Sequence, residues 1–147
     1  MKIWTDGACE PNPGLGGWGW HRSDGRSACG GEEATTNNRM EMTAILEALR
    51  ELPDGAQGLV ISDSQLCIKG LTVWRKGWAK KDWMRNGVPM KNRDLWVALE
   101  AEVVRVRPHF QWVKGHSGDP GNEKADQLAE FGRRTAITAE LQRVEWQ

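Results

Sequence analysis

The sequence has few cysteines and no long apolar run, and each shortage excludes a class of protein. The three cysteines, Cys9, Cys29 and Cys67, are odd in number and form no CxxC pair, which argues against a disulfide framework and against a zinc site. No apolar run approaches the roughly 20 residues that a membrane-spanning helix needs. The amino terminus lacks the apolar centre and the cleavage site of a signal peptide. We therefore expect a cytoplasmic protein without a membrane partner.

A net charge is also lacking, because 20 basic and 20 acidic residues cancel among the 147 residues. The total charge therefore gives no sign of a nucleic-acid partner, but the distribution of charge is more informative. Residues 69–93 contain five lysines and three arginines against Asp82 alone, which gives this segment a net charge of +7. Hydrophobic residues at 39% and charged residues at 27% are typical of a globular protein, and the length is usual for one domain.

Short strands dominate the first part of the chain. Residues 2–5 alternate in character before Gly7, where we expect a turn, and residues 17–22 and 26–32 follow the same pattern around a turn at residues 23–25. Three short strands joined by tight turns predict an antiparallel meander.

Helical spacing of apolar residues begins after Thr36, Asn37 and Asn38, which are candidate N-caps, and ends at residues 53–55. Residues 58–62 form a short apolar strand, and the helical connection predicts that it lies parallel to the first strand. The remaining predicted elements are short helices at 64–69 and 71–78, a basic loop, a helix at 94–106, a strand at 109–114 and a helix at 121–134. The pattern predicts one α/β domain with a mixed sheet.

Four acidic residues occupy positions where folding does not need a carboxylate: Asp6, Glu41, Asp63 and Asp126. Asp6 lies in the first strand and Asp63 closes the fourth, so parallel neighbours would bring both to the carboxyl edge of the sheet, where active sites form. Close carboxylates repel by about 4 kcal/mol per pair at about 4 Å and an effective dielectric of about 20. Such a cluster must hold a proton or bind cations, and oxygen ligands select Mg²⁺ or Mn²⁺.

Three of the four acids also have an ordinary interpretation. Asp63 could be a turn former, Glu41 a first-turn acid that the helix dipole favours, and Asp126 a solvated helix residue. Composition and spacing alone leave both interpretations open.

Four motifs surround these acids, and in this order they resemble type 1 ribonuclease H, the bacterial ribonuclease HI family. The motifs are TDGAC at residues 5–9 with NPG at 12–14, TTNNRME at 35–41, SDSQ at 62–65, and WVKGHSG at 112–118 with NEKAD at 122–126. The resemblance covers about residues 1–134, which would form the catalytic domain, and leaves residues 135–147 as a tail without a clear structural signal. It implies a ribonuclease H-like fold with a five-stranded mixed sheet, an antiparallel meander plus parallel strands, flanked by helices.

The resemblance implies an endoribonuclease that hydrolyses the RNA strand of RNA–DNA hybrids and leaves a 3′-hydroxyl and a 5′-phosphate. It implies that Asp6, Glu41, Asp63 and Asp126 hold two Mg²⁺ ions, with Mn²⁺ as the alternative. It also implies that His116 assists by proton transfer or product release, as an imidazole can near neutral pH. A lone loop histidine is usually only a surface residue, but the position of His116 in the motif favours the catalytic role.

Recognition of RNA requires contacts to the 2′-hydroxyl group. We expect the backbone of Gly7, Ala8 and Cys9 to approach this group because the predicted turn is rich in glycine. The resemblance places side-chain amides on the RNA strand and in the minor groove, since amides both donate and accept hydrogen bonds. These amides belong to Asn12, Asn37, Gln65 and Asn122.

The DNA strand would be contacted by a second group of residues. Asn38 would lie nearer this strand, although helix capping is the alternative for both Asn37 and Asn38. Thr36, Arg39 and Asn92 resemble the family's DNA-phosphate pocket, although Arg39 could instead form a structural salt bridge.

Cations and tryptophans alternate in the basic segment. Lys80 and Lys81 would neutralise phosphates, and the flat rings of Trp78 and Trp83 would lie against sugars. This spacing resembles the basic handle with which many bacterial members of the family hold the DNA strand. The alternative is a solvated loop over packed tryptophans, and we expect packing for Trp74.

Two other functions remain open. A DNA resolvase or integrase-type nuclease of the same fold would need neither the 2′-hydroxyl contacts nor a basic handle. A non-catalytic hybrid-binding protein would lack the metal ligands. No obligate protein partner is evident, and we expect a monomer.

Overall fold

The computed structural model describes residues 1–146, with side chains described through residue 136. Its strands are β1 (Lys2–Cys9), β2 (Gly14–Arg22), β3 (Ser27–Thr35), β4 (Leu59–Ser62), β5 (Met84–Arg85), β6 (Val88–Pro89) and β7 (His109–Trp112). The main sheet has the order β3-β2-β1-β4-β7. Strands β1 to β3 form an antiparallel meander, and β4 pairs in parallel with both β1 and β7. The predicted α/β fold with a five-stranded mixed sheet is confirmed.

Five α-helices pack around this sheet or carry the basic segment. They are α1 (Asn37–Arg50), α2 (Gln65–Lys69), α3 (Arg75–Lys80), α4 (Arg93–Val106) and α5 (Pro120–Trp146), with a π-helical turn at Gly70–Trp74 between α2 and α3. Helix α5 continues beyond residue 134, where the sequence pattern ends, so the backbone of the predicted tail is helical to Trp146. Gln147 lies outside the described residues.

The turn expected at Gly7 is wrong, because β1 continues through Gly7 to Cys9 and stays paired with β2. Glycine is required here for a different reason. A Cβ atom at Gly7 would collide with the backbone of Met40 and Glu41. The glycine therefore allows α1 to approach the strand closely, and this approach brings Glu41 beside Asp6.

The two faces of the sheet are covered in different ways. On one face, the core contains fully buried side chains from β1, α1, β4 and α4, including Ile3, Ile45, Val60 and Leu99. On the other face, α5 packs so closely on β2 that a Cβ atom at Gly17 would collide with the α5 backbone. The amino-terminal half of α5 is thereby held over the meander.

The register of the parallel strands fixes where the site forms. Thr5 of β1 lies opposite Ser62 of β4, so the next residues, Asp6 and Asp63, lie side by side where the pairing of the two strands stops. Strand β4 ends at this point, whereas β1 continues to Cys9. Among the described residues, none of the helices combines the length and the hydropathy of a membrane span.

Candidate active site

Three of the four predicted acids converge at this edge of the sheet. Carboxylate oxygens of Asp6, Glu41 and Asp63 lie within 4.8 Å of one another, and we call these residues the acidic triad. Asp126, on α5, lines the same cavity of about 290 Å³ but is not a member of the triad. The fold therefore brings together all four acids that the sequence singled out.

Gly7 joins two members of the triad. Its backbone N–H donates to Oδ1 of Asp6 at 2.9 Å and also to Oε1 of Glu41. Strand β1 and helix α1 are thus connected at the site by one donor shared between two carboxylates.

Burial makes two members of the acidic triad, Asp6 and Glu41, costly to ionise. Asp6 is 5% exposed and Glu41 is 8% exposed. Burial raises the pKa of Asp6 to about 7, and the charges of Asp63 and Asp126 add to this effect against hydrogen bonds with Glu41 and Gly7. Burial also raises the pKa of Glu41 well above its usual range, together with the hydrogen bond and charge of Asp6 and the charge of Asp63.

The donor set suits a hard divalent cation. All triad ligand atoms are carboxylate oxygens, which Mg²⁺, Mn²⁺ and Ca²⁺ prefer. Close carboxylates that cannot ionise together retain a proton, or bind a cation that replaces it. The oxygen atoms of the acidic triad are therefore close enough to share a divalent cation, and such a cation would offset the repulsion between the carboxylates.

Residues of the closing motif hold Asp63 in place. The indole N–H of Trp112 donates to the backbone carbonyl of Asp63 at 3.0 Å, a contact that sequence reasoning missed. Asn122, predicted to bind substrate, is 3% exposed, and its side-chain N–H donates to Oδ2 of Asp63 at 3.5 Å. A Cβ atom at Gly115 would lie 2.8 Å from the same oxygen. Asn122 therefore orients a triad carboxylate instead of presenting its amide to solvent.

His116 lies at the open side of the same cavity. Its side chain is exposed, and its backbone has a positive φ of 56° in the loop before α5. The imidazole can thus face the cavity and bulk solvent together, as proton transfer requires.

Several of the predicted substrate contacts surround the acids. Gly7, Asn37 and Asn38 line the cavity, as does Ser64, which sequence reasoning missed although it directly follows Asp63 in the third motif. The side-chain oxygen of Asn12 accepts the backbone N–H of Asn37 at 3.2 Å.

The remaining predicted RNA contacts differ in accessibility. Gln65 is exposed in the first turn of α2 and Ala8 is half-buried. Cys9 is buried, with its thiol donating to the carbonyl of Pro11 at 3.3 Å.

Capping is not the role of Asn37 or Asn38. The N-cap of α1 is Thr36, whose hydroxyl accepts the backbone N–H of Arg39 at 3.2 Å. Both asparagines lie inside the helix with exposed side chains, so their amides are available at the site.

The basic segment is a solvated surface over packed tryptophans. Lys80 and Lys81 are exposed at the end of α3. Trp83 is 5% exposed and stacks on Trp96 with ring centroids 6.4 Å apart, which corrects its prediction as a substrate contact, because no ring face is left for a sugar. Trp78 is half-buried, and its ring is 5.1 Å from Trp96.

Trp74 does not pack as fully as we expected. It is 41% exposed, although its ring centroid lies 5.5 Å from that of Trp78. Trp74 therefore covers the edge of the tryptophan cluster and keeps part of its ring in solvent.

Arg39 forms the salt bridge that the sequence left open. Its two terminal nitrogens donate to the two carboxylate oxygens of Asp94 at 2.9 and 2.7 Å, and one of them also donates to Asn92 at 3.3 Å. Arg39 and Thr36 line a second cavity, of about 460 Å³, on the side of β2 and β3.

Comparisons with known proteins show which family the chain resembles. The family model described as RNase H matches residues 1–134. Ribonuclease HI of Pseudomonas aeruginosa is 47% identical over 136 residues, which cover 90% of this chain and 92% of the relative. Ribonuclease H of Bordetella avium is 46% identical over 90% of this chain and 89% of its own length. The crystal structure of LC9-RNase H1, a type 1 RNase H with the type 2 active-site motif, is similar with 28% identity and a TM-score of 0.81, covering 92% of this chain and 72% of that chain.

Proposed function

The chain belongs to the RNase H family, and on that premise we propose that residues 1–134 are the catalytic domain of an endoribonuclease. The enzyme hydrolyses the RNA strand of RNA–DNA hybrids and leaves a 3′-hydroxyl and a 5′-phosphate. The observation that carries this proposal is the convergence of Asp6, Glu41 and Asp63 within 4.8 Å. We propose further that it acts as a cytoplasmic monomer, and the free state of Cys9, Cys29 and Cys67 suits a reducing compartment.

Asp6, Glu41, Asp63 and Asp126 would hold two Mg²⁺ ions, whose chemistry when bound is to activate a water and to stabilise the leaving oxygen of a phosphodiester. Mn²⁺ accepts the same oxygen ligands. The raised pKa values of the buried carboxyl groups of Asp6 and Glu41 imply that metal binding at this site would be coupled to loss of a proton. Asn122 orients Asp63, and His116 transfers a proton or assists product release at the open side of the cavity.

The RNA strand would lie along the end of β1. Pairing of β1 with β4 stops at Thr5, so this side of residues 7–9 has no strand partner among the described strands. The backbone of Gly7, Ala8 and Cys9 can therefore contact a 2′-hydroxyl, although it forms a strand and not the expected turn. The side chains of Asn12, Asn37 and Gln65 are exposed, and Asn37 lines the cavity that holds the acids.

The DNA strand would cross from the site to the basic segment. Asn38 lines both the catalytic cavity and the groove beside the β5–β6 hairpin, so it connects the two surfaces. Lys80 and Lys81 neutralise phosphates of this strand, with Trp78 as the partly exposed ring beside them. Thr36, Arg39 and Asn92 would form a pocket for a phosphate of the same strand.

The test is cleavage of matched, end-labelled substrates. We expect Mg²⁺-dependent cleavage of the RNA in a hybrid, with single-stranded RNA and duplex DNA spared. Asp6→Asn should abolish cleavage and retain hybrid binding. The matched control is Asp54→Asn, because Asp54 is an exposed aspartate paired with Arg105 and is not part of the cavity.

Each alternative function predicts a different result. A resolvase-type nuclease would cut duplex DNA, and a non-catalytic binding protein would bind the hybrid without cutting it. Cleavage by Asp6→Asn at the parental rate would contradict the assigned chemistry.

A further inference from the structure

In the proposed phosphate pocket of Thr36, Arg39 and Asn92, the Arg39 side chain is already paired with a carboxylate of the protein itself. The guanidinium meets the Asp94 carboxylate through two parallel hydrogen bonds of 2.9 and 2.7 Å, the fork geometry in which arginine also binds phosphate. Arg39 lies in the first turn of α1 and Asp94 in the first turn of α4, so the pair bridges two helices. One terminal nitrogen additionally donates to the side-chain oxygen of Asn92, which with Thr36 belongs to the proposed pocket.

The pair is well formed but remains accessible to a competing anion. The side chain of Arg39 is 31% exposed and that of Asp94 is 65% exposed. The hydrogen bond from Arg39 keeps the pKa of Asp94 below its usual range, so this carboxylate stays charged at neutral pH. An exposed ion pair of this kind is worth about 1 kcal/mol or less, which a phosphate can match.

We propose that Asp94 competes with the DNA-strand phosphate for Arg39 and thereby limits the affinity of this pocket for the hybrid. The proposal rests on the proposed function, since it assumes that Thr36, Arg39 and Asn92 receive a phosphate. Binding exchanges the Asp94 carboxylate for the phosphate as the partner of Arg39, so the contact that forms is offset by the salt bridge that is lost, and the pocket contributes no net positive charge. The displaced Asp94 carboxylate also stays near the phosphate and repels it. Asp94 therefore weakens binding although it does not touch the scissile linkage.

In the opposite role, Asp94 would strengthen hybrid binding by orienting Arg39. In that case the carboxylate would hold the guanidinium towards the phosphate, and its loss would weaken binding. The two roles predict changes of opposite sign, so one binding series separates them.

The experiment measures hybrid affinity against salt concentration in EDTA, which prevents metal-dependent cleavage. The proteins are the parent, Asp94→Asn, Arg39→Gln and the double variant. We expect Asp94→Asn to bind roughly fivefold tighter at low salt, the equivalent of about 1 kcal/mol. Its plot of log affinity against log salt should be steeper by about one unit, because one more phosphate is neutralised. Arg39→Gln should weaken parental binding, because it leaves the Asp94 carboxylate unpaired near the phosphate, and it should cancel the whole gain in the Asp94→Asn background.

Asp54→Asn is the matched control, because it removes an equally negative partner of an arginine, Arg105, at the opposite end of α4. Weaker or unchanged binding by Asp94→Asn would overturn the proposal, as would an equal gain in Asp54→Asn. Asp94→Ser provides the same test if Asp94→Asn does not reach the parental melting temperature. If the parent neither binds nor cuts the hybrid, the proposed function itself fails, and this outcome is distinguishable from a parent that cuts normally but shows no gain on loss of Asp94.

Discussion

The carboxylates of Asp6 and Glu41 come from different elements but accept a hydrogen bond from the same donor, the backbone N–H of Gly7. One N–H cannot stabilise two buried negative charges, and Asp63 adds a third within 4.8 Å. The metal-free site therefore favours protonated carboxyl groups. This electrostatic cost makes the stability of the protein dependent on pH and on divalent cations.

Replacing Asp6 by the uncharged asparagine should stabilise the metal-free protein at high pH. The folded-state pKa of Asp6 is raised from 3.8 to about 7, so its contribution to folding is complete below pH 3.8 and is lost as the pH rises through about 7. Relative to the parent, Asp6→Asn should therefore gain stability between these pH values. The expected gain at pH 8 is a few kcal/mol, since one pKa unit corresponds to about 1.4 kcal/mol.

Urea unfolding in EDTA at several pH values measures the difference in stability between the parent and Asp6→Asn. In a second series with Mg²⁺ in place of EDTA, the cation should raise the stability of the parent at pH 8 and have little effect on Asp6→Asn. A difference between the two proteins that is the same at pH 4 and pH 8 would contradict the assigned electrostatics.

The sequence predicted the site acids and the mixed sheet well. It predicted less well the backbone conformation at Gly7 and the contacts between residues that are far apart in the chain. Asp6 and Asp63 were predictable because one lies within and the other directly after an apolar strand, and each belongs to a recognisable motif. Gly7 was misread as a turn residue, since a glycine that permits close helix packing and a glycine that permits a turn look alike in sequence. Spacing carries information on neighbours within one element, but not on which residues meet across elements.

Two contacts illustrate this limit. Trp83 alternates with cations and therefore looked exposed, but its ring stacks on Trp96 from α4. The pairing of Arg39 with Asp94 joins residues that are 55 positions apart, and no periodic pattern relates them.

Removing the Asn122 side chain should weaken metal binding. Its amide donates to Oδ2 of Asp63, and loss of a residue that orients a metal ligand typically costs about 10–100-fold in metal affinity or activity. We expect Asn122→Ala to raise the Mg²⁺ concentration for half-maximal cleavage by about this factor. The control is Gln127→Ala, an exposed residue of the same helix. Equal Mg²⁺ requirements for both variants would show that Asn122 does not orient Asp63.

Removing the two lysines at the end of α3 should weaken hybrid binding and reduce its salt dependence. If Lys80 and Lys81 each neutralise one phosphate, the double alanine variant should lower the salt slope by about two units. The control replaces Lys2 and Arg107, which are exposed at the amino-terminal edge of the parallel strands, opposite the acids. A salt slope that falls equally in both double variants would indicate a general effect of net charge, and an unchanged slope would refute the basic handle.

Adding one methyl group at Gly17 should destabilise the protein and disturb the site together. The new Cβ atom would collide with the α5 backbone at Ala129 and Arg133, and rigid backbone cannot yield as a flexible side chain can. Overpacking of this kind costs about 1–3 kcal/mol or more, so Gly17→Ala should unfold at lower urea concentration. Its cleavage rate should also fall, because α5 carries Asp126. Gly77→Ala is the control, since a Cβ atom there meets nothing within 4 Å and alanine favours helix α3 by up to about 1 kcal/mol. Equal stabilities of the two variants would contradict the close packing of α5 on β2.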